Sequence, residues 1–215
     1  MSDVAAGPVA EWITELREAI AGRGSVNVPC GSCTACCTSS QFIEIGPNEH
    51  RTLRRIPSGL LFPAPRRPKG HVVMGFNKQG HCPMLIDGAC GVYDDRPQTC
   101  RTYDCRVFAA TGIDPNDDAK PDIAERVKHW RFDPVEKGAD GEVGADNLSL
   151  AAMVAAAQFL RANRAVIGDA LVPRTATHIA VGAFMIHETF VGERDGRAAV
   201  VVPSMAAVRT ALGPV

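Results

Sequence analysis

Cys30-Gly31-Ser32-Cys33-Thr34-Ala35-Cys36-Cys37 places four cysteines within eight residues. Two C-x-x-C spacings overlap at Cys33, and Cys37 follows Cys36 directly. A C-x-x-C turn aims two thiolates at one point while nearby backbone N–H groups stabilise the sulfur charge. Neighbouring side chains of an extended chain point to opposite sides. Cys36 and Cys37 are therefore expected either to serve two centres or to divide into one ligand and one packed thiol. Outward from this stretch come Cys82, Cys90, Cys100 and Cys105, which complete the eight cysteines of the 215-residue chain. Cysteines that merely fill a core would scatter, so this clustering asks for a chemical reason.

Three chemistries compete for these thiols. A disulfide framework suits small exported chains, but this chain is long and its first twenty residues lack a basic start followed by an apolar core. A single redox C-x-x-C pair would leave the other cysteines without a role. Thiolate ligation of metal uses the spacing, the clustering and the even count together, and makes Cys30, Cys33, Cys36, Cys37, Cys82, Cys90, Cys100 and Cys105 all candidate ligands. Two four-coordinate zinc sites and an iron–sulfur cluster held by four thiolates both satisfy that donor set. Cys30, Cys33 and Cys36 repeat the spacing of the first three bacterial ferredoxin ligands, and Cys82-Pro83 supplies a remote Cys-Pro, but the ferredoxin spacing to a fourth cysteine is absent. A metal with four thiolates remains an anion, and buried charge needs partners. Arg96, Arg101 and Arg106 flank the last two cysteines and are placed to supply them. His81 adjoins Cys82 as a further donor; the other histidines show no ligand spacing.

Around the cysteines the chain reads as α+β, a small metal-stapled half with a β-hairpin followed by a mostly helical half. Val9, Trp12, Ile13, Leu16 and Ile20 fall on one helix face. Phe42, Ile43 and Ile45 read as a short strand, and Pro47 opens a helix through Leu53 and Ile56. Four prolines between positions 57 and 70 predict a loop with little regular structure. Residues 71–76 are β-rich, and Asp87-Gly88 between apolar runs predicts a hairpin whose arms lie near Cys82 and Cys90. Pro97 starts a short helix carrying Cys100, and Pro121 one running through Ile123, Val127 and Trp130. A surface loop is expected over 136–146, and strong helix formers over 149–166. A further helix is expected from 173 towards 190, a turn at Asp195-Gly196, a strand over 198–202 and a last helix capped by Ser204. The regions divide as a docking helix (1–24), the cysteine cluster (25–110) and a mainly helical region (111–215), packed as one domain.

Composition narrows the function classes. Lys plus Arg number 23 against 24 Asp plus Glu, giving a formal net charge of −1, and the pI near 6.6 lacks the broad basic footprint of a nucleic-acid binder. The longest apolar run, 148–160, is interrupted by Ser149 and Gln158 and falls short of a bilayer span. The expectation is a cytoplasmic protein with no nucleic-acid or membrane partner.

The stretch CGSCTACC at 30–37, followed by CPMLIDGACGVYDDRPQTCRTYDC at 82–105, resembles the CxxCxxCC, or YkgJ-like, cysteine-cluster family. Asp87-Gly88, Tyr93, Arg96-Pro97 and Cys100-Arg101 recur with the cysteines in that pattern, over about residues 25–110. The resemblance implies a zinc- or iron-chelating domain, and flagellin lysine methylases carry a related cluster. The main reading is thus a metal-binding protein. One alternative is a protein-modifying enzyme by that analogy, although no S-adenosylmethionine loop and no C-x-x-x-C-x-x-C spacing is found. The other is an interaction module whose metal staples the fold while the helical half binds a protein partner.

Overall fold

A computed structural model describes residues 2–133, 144–168, 171 and 175–213. In chain order the elements are β1 (Val4–Gly7), α1 (Val9–Ile20), β2 (Ile43–Ile45), α2 (His50–Arg55), β3 (Leu61–Pro63), β4 (Val72–Met74), β5 (Leu85–Ile86) and β6 (Ala89–Cys90). Then follow α3 (Gln98–Thr102), α4 (Arg106–Thr111), α5 (Pro121–Val127), β7 (Trp130–Phe132), α6 (Ala145–Ile167), α7 (Ala176–Ile186), β8 (Val191–Arg194), β9 (Arg197–Val200) and α8 (Met205–Leu212). Small sheets in the first half and helices in the second make an α+β fold. The chain divides into two compact units, Thr14–Asp104 and Met1–Ile13 with Cys105–Val215.

The unit Thr14–Asp104 is built on the antiparallel sheet β2-β4-β3, in which Ile43 and Leu61 both pair with Met74. Alternation along these strands sends Ile45 and Met74 into a core with Ile56, Met84 and Val92, against which Cys82 and Cys90 also pack. The proline-rich stretch is more ordered than its composition suggests. It contains a 3-10 turn at Ser58–Leu60 and then β3. Pro63 is tolerated because β3 is an edge strand, where a missing N–H breaks no ladder on its outer side. The expected hairpin is present as β5-β6, with Leu85 opposite Cys90. Asp87 (φ 50°) and Gly88 (φ 76°) supply the two left-handed residues that such a two-residue turn needs.

In the other unit, β1 pairs in parallel with β7, Val4 facing Trp130. Trp130 therefore lies in a strand and not in the helix opened by Pro121, which ends at Val127. Trp12 packs against Phe132 and Phe184 with ring centroids 4.9 and 5.4 Å apart. α6 buries Ala152, Met153, Ala156, Ala157, Leu160 and Ile167, two i, i+4 rows that pack on α7 and α4. At 23 residues α6 is long and apolar enough to cross a membrane by length and composition, longer than the run read from the sequence. Its buried rows make it the core helix of this unit. The loop expected over 136–146 lies outside the described residues up to 143, and Ala145 and Asp146 already belong to α6. Thr175 and Ser204 cap α7 and α8 by accepting from the His178 and Ala207 amides.

Candidate metal centre

The first cysteines sit on consecutive tight turns. The Cys33 amide donates to the Cys30 carbonyl at 3.0 Å, with Gly31 (φ 56°) in the left-handed region that the turn requires. The next turn is a 3-10 segment, Ala35–Cys37, closed by Cys37 N–H to Thr34 O at 2.8 Å. Three residues per turn set adjacent side chains roughly 120° apart rather than on opposite sides. Consequently Cys36 Sγ lies 4.0 Å from Cys37 Sγ, which corrects the expectation drawn from extended geometry.

Backbone pairing brings in the second group. Ser40 N–H donates to Gly80 O at 2.9 Å and Cys82 N–H to Cys37 O at 2.7 Å, so residues 37–40 and 80–82 run side by side. Gly80 is demanded here: its φ is 81°, and a Cβ would collide with Ser40 Oγ. The Cys82 carbonyl then accepts from Leu85, and Leu85 faces Cys90 across the hairpin. Cys100 arrives on α3. That helix is held by Glu49, whose carboxylate accepts from the Gln98 amide at 2.6 Å and, through its other oxygen, from the Gly46 amide at 2.7 Å. Thr99 Oγ1 also donates to Glu44 O of β2 at 2.7 Å.

Electrostatics shows which thiols are neighbours. Burial pushes Cys100 up to about 12, with Cys36, Cys82 and Cys90 adding to the shift and Arg96 opposing it. Cys82 is raised by burial and then by Cys90 and Cys36. Cys36 is raised by its hydrogen bond with Cys37, by burial and by the Cys37 charge. Thiolates that repel one another are close, so Cys36, Cys82, Cys90 and Cys100 share one neighbourhood, with Cys37 at its edge. All eight cysteines are free thiols. Among the described residues, no three His, Cys, Asp or Glu side chains are already closed up in metal-binding geometry. A tetrathiolate donor set suits zinc or iron–sulfur chemistry, and its binding would release the protons that the raised thiols hold.

The remaining candidates are placed differently. Cys30 and Cys33 stay on the first turn. Cys105 belongs to the other unit, where its sulfur accepts from Trp130 Nε1 at 3.2 Å. Of the three arginines, Arg96 is the cation set against Cys100; its guanidinium lies over the Tyr93 ring at 4.2 Å. Arg101 instead donates to the carbonyls of Arg96 and Asp94, fixing that loop, and Arg106 is buried and donates to Ala6 O at 2.9 Å. Sequence reasoning missed Glu49, because a bond to Gln98 across such a separation leaves no local signature.

Residues 29–122 match the CxxCxxCC family. The family's description is "Putative zinc- or iron-chelating domain". The matched CxxCxxCC span contains all eight cysteines and supports a metal-binding role for this region. No curated protein and no solved structure matches the chain.

Proposed function

We propose that the CxxCxxCC region chelates one metal centre through the thiolates of Cys36, Cys82, Cys90 and Cys100, with Cys37 as a fifth thiol able to replace Cys36. The observation that carries this reading is that Cys36, Cys82 and Cys90 all oppose ionisation of the buried Cys100, and Cys36 and Cys90 that of Cys82, across three separately anchored pieces of backbone. Zinc is the favoured metal. Four thiolates complete its tetrahedral coordination with no further component. An iron–sulfur cluster is the second reading, favoured by the ferredoxin-like spacing of Cys30, Cys33 and Cys36. Ligation by thiolates needs reduced cysteines, so this reading carries with it a reducing, cytoplasmic compartment.

When bound, the metal would supply a fixed charge and a covalent staple. The chain's own part is to hold four sulfurs at one point, to give up their protons, and to screen the resulting anion with Arg96. Anaerobic purification followed by metal analysis and an absorption spectrum tests this. Zinc in a colourless protein is expected, lost in Cys82→Ser and Cys100→Ser and retained in Cys105→Ser. Iron with acid-labile sulfide would select the second reading. Sulfurs paired as disulfides, or equal metal loss from Cys105→Ser and Cys100→Ser, would overturn the assignment.

A further inference from the structure

The sheet β2-β4-β3 has a second face. Ile43, Ile45, Leu61, Val72 and Met74 serve the core, so alternation turns Glu44, Val73 and Phe62, which pair with one another across the sheet, the other way. On that side lie Phe42 (64% exposed) and Phe62 (43%), with Phe76 (39%) against Phe42 at a centroid distance of 5.1 Å. Gly75 forms the floor: a Cβ there would come within 3.4 Å of the Phe62 ring and 3.7 Å of the Phe42 ring. Three exposed phenylalanines over one short sheet are costly in water unless something covers them.

The charge in the chain that builds this patch is mostly basic. From His50 to Ile86 the chain carries seven Lys and Arg and no Asp or Glu. Arg67 and His71 are engaged by Glu44, each at 3.0 Å, and Arg51 is engaged by Asp95 at 2.8 Å. Arg66 and Lys69, in the β3–β4 connection, and Lys78, two residues after Phe76, are exposed. We propose that this face docks an acidic polypeptide segment that presents apolar side chains to Phe42, Phe62 and Phe76 and carboxylates to Arg66, Lys69 and Lys78.

A polypeptide fits better than a single-stranded nucleic acid. The Phe42 and Phe76 rings are tilted 55° to each other and offer no flat platform for stacked bases. This assignment does not depend on the identity of the metal.

Peptide-display selection on the full chain, purified anaerobically, tests the proposal. Enriched peptides should combine Asp or Glu with aromatic or aliphatic anchors, and synthetic copies should bind at least about tenfold more weakly to Phe42→Ser. Lys78→Glu should weaken them as well and more steeply at low salt. Should Phe42→Ser disturb hydrogen exchange in β2 and β4, Phe62→Ser reads the same face. Peptides indifferent to these substitutions, or enriched without acidic residues, would overturn the proposal. So would an oligo(dT) strand whose binding, rather than that of any peptide, is lost in Phe42→Ser.

Discussion

At Cys100, burial and three neighbouring sulfurs oppose ionisation while Arg96 favours it. Replacing Arg96 with Glu should therefore weaken metal retention against a competing chelator by about one to two orders of magnitude, the range of a charge-assisted contact worth roughly 1–3 kcal/mol. Arg67→Glu, whose partner is Glu44, should leave retention unchanged; equal loss in both would remove the electrostatic argument. The raised thiol also sets a pH dependence. In the metal-free protein Cys100 stays protonated between its ordinary value of 9.0 and about 12, while the unfolded chain has already lost that proton. The folded state then binds more protons, so its stability is full below pH 9 and falls as pH rises towards 12. Denaturant titration of apo protein at pH 8 and pH 10.5 should show that decline, and Cys100→Ser should reduce it. Residue spacing alone picked out the eight cysteines as candidate donors. It could not reveal that the Cys36 and Cys37 sulfurs lie 4.0 Å apart, because that depends on a 3-10 backbone whose signal is the local hydrogen bonding of Thr34 to Thr38.

Helices and strands differ in how openly the sequence announces them. The β5-β6 hairpin, α3 after Pro97, α6 and the Ser204 cap all follow from signals within a few residues, and each was readable. β1 and β3 were not: each is a strand of at most four residues whose partner lies elsewhere in the chain, and pairing, not composition, makes it a strand. Trp130 was misread for the same reason, since β1 recruits it. Glu49 shows what such distant bonds do for the metal region. It ties α3 to the β2–α2 loop through two backbone amides, so Glu49→Ala should release the helix that carries Cys100 without touching a thiol. We expect faster exchange at the Gln98 amide and weaker metal retention; unchanged retention would mean that α3 is positioned by packing alone. In the helical unit, Leu160 is fully buried and meets Gly182 of α7. Leu160→Ala should cost about 2–5 kcal/mol in thermal or denaturant unfolding while leaving bound metal intact.

For the whole molecule, seven of the eight cysteines fall in the unit Thr14–Asp104, which has its own core, and α6 and α7 belong to the other. Stripping the metal with a chelator should raise hydrogen exchange around residues 30–37 and 80–102 while α6 and α7 keep their protection. Loss of protection in both units together would show that they unfold as one. The cysteine unit is also an insertion in the chain of the other, because Met1–Ile13 returns to residues after Asp104 and β1 finds its partner in β7. On the ribosome, β1 therefore emerges before its partner and must wait for Trp130, an interval on the order of ten seconds at ordinary elongation rates. Cys100, the last of the four proposed ligands, precedes Trp130 by 30 residues, so the set is complete only for roughly the last few seconds of that interval. On the proposed ligand set, loading could then precede the pairing of β1 with β7, and a shortage of metal would be felt by the nascent chain first.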